Sequence, residues 1–95
     1  MPREKTRRQE IVDLLREARW TPDQLRRELE LTVRVLEEDL RHVKRSVRAG
    51  GRRLQVDPPR CSDCGFQLRS TALHPPGRCP SCRSHRVEGP WLEVR

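Results

Sequence analysis

Tyrosine is missing from this chain, phenylalanine occurs once and tryptophan twice. Little aromatic surface is therefore on offer for stacking against bases. Lysine stands only at Lys5 and Lys44, so the basic charge is almost entirely arginine. No apolar run approaches the length that crosses a bilayer. The opening MPREKTRRQ is charged and lacks the apolar stretch of a secretory signal, which places the chain, as an expectation, in the reducing cytoplasm. A phosphate-cradling glycine loop and a Ser/His/Asp nucleophile set are both missing, so a binding protein is expected and not an enzyme. Hydrophobic residues are also scarce, at 33% against 37% charged. Ninety-five residues of this composition bury a modest core and lean on a metal or a partner.

What the chain does have is positive charge and four cysteines. The formal net charge is +7, of which residues 1–60 carry +5 and residues 61–95 carry +2. Four thiolates holding a divalent ion would contribute −2 and bring the second part to zero, so the basic excess belongs to the first. Such an excess favours nucleic acid or an anionic surface without specifying a sequence.

Periodicity organises the first part. In TRRQEIVDLLREA, residues 6–18, Ile11, Leu14, Leu15 and Ala18 follow the i, i+3, i+4, i+7 spacing of an amphipathic helix. WTPDQL then carries a dense start signal: Thr21 as cap, Pro22 at the first helical position and Gln24 to close a capping box. Trp20 and Leu25 sit where a hydrophobic staple would, which makes Trp20 a core residue. The second helix is expected over 22–30, and Thr32 caps a third. Val33, Leu36, Leu40, Val43 and Val47 share one face of that third helix, while Arg34, Glu38, Arg41 and Arg45 take the other. Glu38 is within pairing distance of Arg34 and Arg41. SVRAGGRRLQV follows and reads as a β-hairpin turning at Gly50-Gly51, after which Pro58-Pro59 marks a boundary.

Three helices and a hairpin predict a winged helix-turn-helix over residues 1–57. Its third helix would enter the major groove and its wing would meet phosphates. Arg34, Arg41, Lys44, Arg45, Arg48, Arg52 and Arg53 are the candidate contacts to double-stranded DNA. The bland alternative is that these arginines solvate a helix face or serve a protein surface.

Residues 58–95 read differently. CSDCGFQLRSTALHPPGRCPSC holds every cysteine in two CxxC pairs, the spacing of a tetrahedral four-thiolate site. Cys61, Cys64, Cys79 and Cys82 are the expected ligands. Disulfides are disfavoured in a reducing compartment. Iron uses the same ligands, so donor type alone leaves it open, but the aromatic-poor cover favours one Zn2+ per chain. Four cysteines close a structural site, so His74 and His85 are expected in loops and no position is left for an activated water. Phe66 to Leu73 reads as strand and HPPGR as turn, with Val87, Trp91, Leu92 and Val94 as strands covering the site. The expected fold class is α+β, a three-helix winged helix-turn-helix followed by a small all-β zinc ribbon.

The order RRQEIVDLLRE, TPDQLRREL, VLEEDLRHVKRSV, LQVDPPRCSDCGF and CPSC resembles small archaeal and bacterial predicted transcriptional regulators. These join a winged helix-turn-helix to a rubredoxin-like zinc ribbon, and the resemblance covers nearly the whole chain. It implies the four cysteines as metal ligands and the third helix as the DNA reader. The leading expectation is a DNA-binding transcriptional regulator. The others are a protein-interaction adaptor of the transcription machinery and a metal- or redox-responsive switch, and a homodimer stays open.

Overall fold

A computed structural model of the chain describes residues 6–68 and 77–95. Helix α1 spans Arg7–Glu17, α2 Pro22–Glu28 and α3 Val33–Ala49. Strands β1 (Leu54–Asp57), β2 (Arg60–Cys61), β3 (Val87–Glu88) and β4 (Trp91–Val94) complete the described elements.

Each helix starts where a threonine accepts an amide bond. Thr6, Thr21 and Thr32 cap from Gln9, Gln24 and Val35, and the Gln24 side chain accepts in turn from the Thr21 amide at 3.0 Å. That reciprocal pair is the capping box read from TPDQ. Ala18 lies beyond the end of α1, extended and exposed, and so leaves the stripe. α2 stops at Glu28, two residues short of the expected end, because Glu30 takes a left-handed φ of 54°.

The Gly50-Gly51 pair does not turn a hairpin. It terminates α3, which runs two residues beyond Val47. Gly51, at φ 79°, donates its amide to Arg48 O at 3.1 Å, and Arg52 donates to Val47 O at 2.8 Å. These are the two bonds of a Schellman cap, in which glycine supplies the left-handed residue. β1 therefore finds its partner elsewhere. It pairs antiparallel with β4, with Leu54 opposite Val94 and Val56 opposite Leu92. Arg53 and Arg95 extend the ladder with two amide bonds of 2.9 Å.

β4 has a second neighbour. Trp20 and Leu92 exchange amide bonds of 2.9 and 2.7 Å, so β4 lies between the α1–α2 connection and β1. Alternation along β4 points Leu92 and Val94 inward, where they join Ile11, Leu15, Leu25, Leu36, Leu40, Val43 and Val47 in one core. Trp20 packs half-buried against it. Trp91, Leu92 and Val94 thus form a strand as expected, but one that closes the helical core and does not cover the cysteines. The burial of Leu92 and Val94 gives the physical reason, since the helical unit has the larger apolar face to cover.

The ribbon's own sheet is β2 against β3, Arg60 opposite Glu88 and Cys61 opposite Val87. Gln67 makes an isolated bridge to Arg60, and no strand runs through Phe66–Leu68. The rest of the strand expected to reach Leu73, and the start of the HPPGR turn, lie outside the described residues.

Candidate metal centre and basic helix

Two knuckles of the same build present the cysteines. In the first, Cys61 N donates to Phe66 O at 2.9 Å and Gly65 N to Cys61 O at 3.0 Å. In the second, Cys79 N donates to Ser84 O and Arg83 N to Cys79 O, both at 2.8 Å. The residue after the second cysteine of each pair is left-handed, Gly65 at φ 76° and Arg83 at φ 63°. Glycine adopts that conformation freely, whereas arginine bears a Cβ penalty there.

The knuckles face each other with four free thiols. Cys61 and Cys82 bring their sulfurs to 3.5 Å, Cys64 and Cys79 to 3.6 Å, and all four lie within 4.8 Å of one another. A disulfide would need about 2.05 Å. A tetrahedral ion with bonds near 2.3 Å sets its sulfurs about 3.8 Å apart. The cluster therefore fits a tetrahedral metal ion held by Cys61, Cys64, Cys79 and Cys82, two of them buried and two exposed.

Crowded sulfurs do not share charge evenly. The Cys64 amide, followed by that of Asp63 and the neighbouring thiols, lowers Cys61 to about 7 against the opposing effect of burial. The Ser84 amide pulls Cys82 down, yet burial and the three sulfurs facing it outweigh that pull and push it up to about 12. Four negative sulfurs without a cation between them repel one another, and a bound dication removes the conflict.

A polar cross-link ties the knuckles together outside the sulfurs. Ser84 Oγ donates to the Asp63 carboxylate and accepts from Arg86 N at 3.1 Å, while Arg86 Nη1 stands 3.7 Å from Asp63. His85 donates from Nδ1 to Gly77 O at 3.2 Å, which occupies that ring nitrogen in a loop as expected. His74 lies outside the described residues.

On the helical unit, Arg34, Arg41, Lys44, Arg45 and Arg48 are exposed along α3, and Arg52 and Arg53 are exposed beyond its cap. No ion pair engages any of the seven among the described residues. The expected pairing of Glu38 with Arg34 or Arg41 does not form. The acid that matters is Asp39, 1% exposed at the edge of the apolar stripe. Arg7 grips it with both nitrogens, Nη2 to Oδ1 at 3.0 Å, and Arg8 Nε adds 3.1 Å. The Arg7 hydrogen bonds hold the Asp39 carboxyl below its ordinary value despite burial, and Asp39 raises Arg7 in return. The sequence reading gave Asp39 no role. Its position flanking Leu36, Leu40 and Val43 was the available signal.

A groove of about 560 Å3 separates the first turn of α2 from the β3–β4 corner, with Thr21, Arg26, Val33, Leu36, Glu88 and Trp91 among its walls. Arg19 caps the Trp91 ring at 4.8 Å, a cation–π contact.

Among the described residues, three helices, two small antiparallel sheets and a thiol cluster fit for a tetrahedral ion define an α+β protein with a four-cysteine cluster that could bind a metal ion. The family described as PF0610-like, N-terminal, matches residues 6–55, more than half of the sequence, and the chain belongs to that family. The fold is similar to the solution NMR structure of protein PF0610 from Pyrococcus furiosus, with 28% identity and a TM-score of 0.71 over all of this chain and 96% of that one. No curated protein matches the chain. No helix among the described residues is long and apolar enough to cross a membrane.

Proposed function

We propose that this chain is a transcriptional regulator that binds double-stranded DNA through α3 and the turn after it, with its ribbon held by one structural Zn2+. One observation carries the reading: seven exposed cations line α3 and its cap with no ion pair among the described residues, while the buried acid of the same helix is neutralised from behind by Arg7 and Arg8. An interface prepared for phosphates needs cations that no internal acid has already taken.

Topology supports the same reading. A short strand between the first two helices, then a helix pair, then two antiparallel strands is the winged helix-turn-helix order. Here Trp20, β4 and β1 supply those strands in that spatial order. The connection from β1 to β4, where a wing would lie, is the ribbon itself. Zinc is preferred over iron because few rings shield the sulfurs and Cys64 and Cys82 are exposed.

The adaptor reading draws on the groove beside Trp91, which a partner protein can enter. A duplex titration separates the two. Metal-loaded protein should bind random duplex with a log–log salt slope of about −0.9 per phosphate neutralised. Replacing Arg52 and Arg53 with alanine should flatten that slope by about 1 for each phosphate no longer bound. Undetectable duplex binding at low salt would overturn the regulator reading and promote the adaptor.

A further inference from the structure

The second knuckle departs from the first in charge and in the residue at its left-handed position. Residues 77–86, GRCPSCRSHR, contain three arginines and no acid, whereas Asp63 sits inside the first knuckle. Arg78 and Arg83 flank the Cys79–Ser84 hydrogen bond, both are exposed, and neither has an ion pair among the described residues. Of the other ribbon arginines described, Arg86 stands in an ion pair with Asp63, and Arg60 is the cross-strand neighbour of Glu88. Arg83 also occupies the left-handed position that the first knuckle gives to Gly65. Arginine is disfavoured there on backbone grounds, and its side chain is exposed to solvent.

We infer that the second knuckle is a separate contact for the nucleic-acid backbone, with Arg78 and Arg83 as the phosphate ligands. This rests on the regulator reading, in which the ribbon fills the place of a wing, the element that meets phosphates in this architecture. Two exposed guanidiniums, neither in an ion pair among the described residues, match a polyanion, and guanidinium forms bidentate bonds to phosphate. The contact is sequence-independent: it adds affinity and salt dependence and leaves base preference to α3.

The test uses full-length, zinc-loaded protein and fluorescence anisotropy with random and genomic duplexes at several salt concentrations. Arg83→Gly is the informative variant because binding and folding move in opposite directions. It relieves the left-handed strain and should raise the melting temperature, yet it should weaken every duplex alike. Together with Arg78→Ala it should flatten the salt slope by about 1.8, near 0.9 for each arginine. If wild-type protein binds with a steep slope and the double variant matches it, the ribbon contact is refuted and the α3 reading survives. If wild-type protein binds no duplex, both fall. If the variants lose zinc affinity at an unchanged salt slope, the arginines serve to offset the charge of the metal–thiolate cluster, and the inference is again overturned.

Discussion

Nine apolar side chains close the helical unit, from Ile11 on α1 to Val94 on β4. Among the described residues the ribbon has no comparable core: its buried residues are Pro59, Cys61, Leu68, Cys79 and Pro90. One region is held by apolar area removed from water, and the other gathers four sulfurs that a bound metal ion could join. The two are interleaved in sequence. β4 follows the ribbon in sequence but packs in the helical core, so the chain passes through the four-cysteine cluster on its way to completing the hydrophobic one.

Metal removal should produce the largest effect. Binding free energy at a structural zinc site reaches about 10–16 kcal/mol in small peptides, and in the ribbon it is folding free energy. Chelation should leave residues 59–68 and 77–88 without protected amides while α1, α2 and α3 keep theirs, as followed by hydrogen exchange. Loss of protection throughout the chain at once would show instead that the helical core depends on the ribbon.

Leu92→Ala comes next, because Leu92 is fully buried and its strand links the α1–α2 connection to β1. A cost of about 3 kcal/mol is expected in denaturant melts of metal-loaded protein. A cost below about 1 kcal/mol would mean that β4 is dispensable to the helical unit.

Asp39→Ala should cost about 2 kcal/mol, since it removes charge-assisted bonds that fix the start of α1 onto α3. The pH dependence has a definite sign. Arg7 lowers the folded-state pKa of Asp39, so its contribution is present above the unfolded carboxyl value of about 3.9 and disappears as pH falls through the lower folded value. Asp39→Asn should flatten the acid limb of the stability profile in that window and leave the region above pH 5 parallel to wild type. An unchanged acid limb would contradict the clamp.

The two knuckles allow the finest comparison. Gly65→Ala places a Cβ on a left-handed residue and should destabilise the ribbon by about 1 kcal/mol, whereas Arg83→Gly should stabilise it by about 0.5–1 kcal/mol. Equal signs in thermal melts would show that the left-handed turn is not what limits the second knuckle.

The helical unit was legible in its sequence wherever a local rule decides the outcome. TPDQ carries a complete capping box, the α3 stripe repeats with helical spacing, and two CxxC pairs announce their own ligand set. What failed depended on distant partners. Gly50-Gly51 supports a hairpin and a Schellman cap equally well, and only the pairing of β1 with β4 decides between them. Trp91–Val94 reads as strand in either sheet, and burial of Leu92 in the helical core settles which. Asp39 went unassigned because its partners Arg7 and Arg8 lie more than thirty residues away in sequence. Arg83 gave no signal at all, since its left-handed backbone is visible only once the knuckles are compared.

The central claim is that α3 and its cap form the DNA-facing surface. Amide chemical-shift mapping of zinc-loaded protein, titrated with a short duplex at low salt, tests it most directly. The account predicts perturbations concentrated between Arg34 and Arg53, spreading to the second knuckle and sparing the groove walls around Thr21 and Trp91. Shifts confined to those groove walls, or none anywhere at saturating duplex, would contradict it.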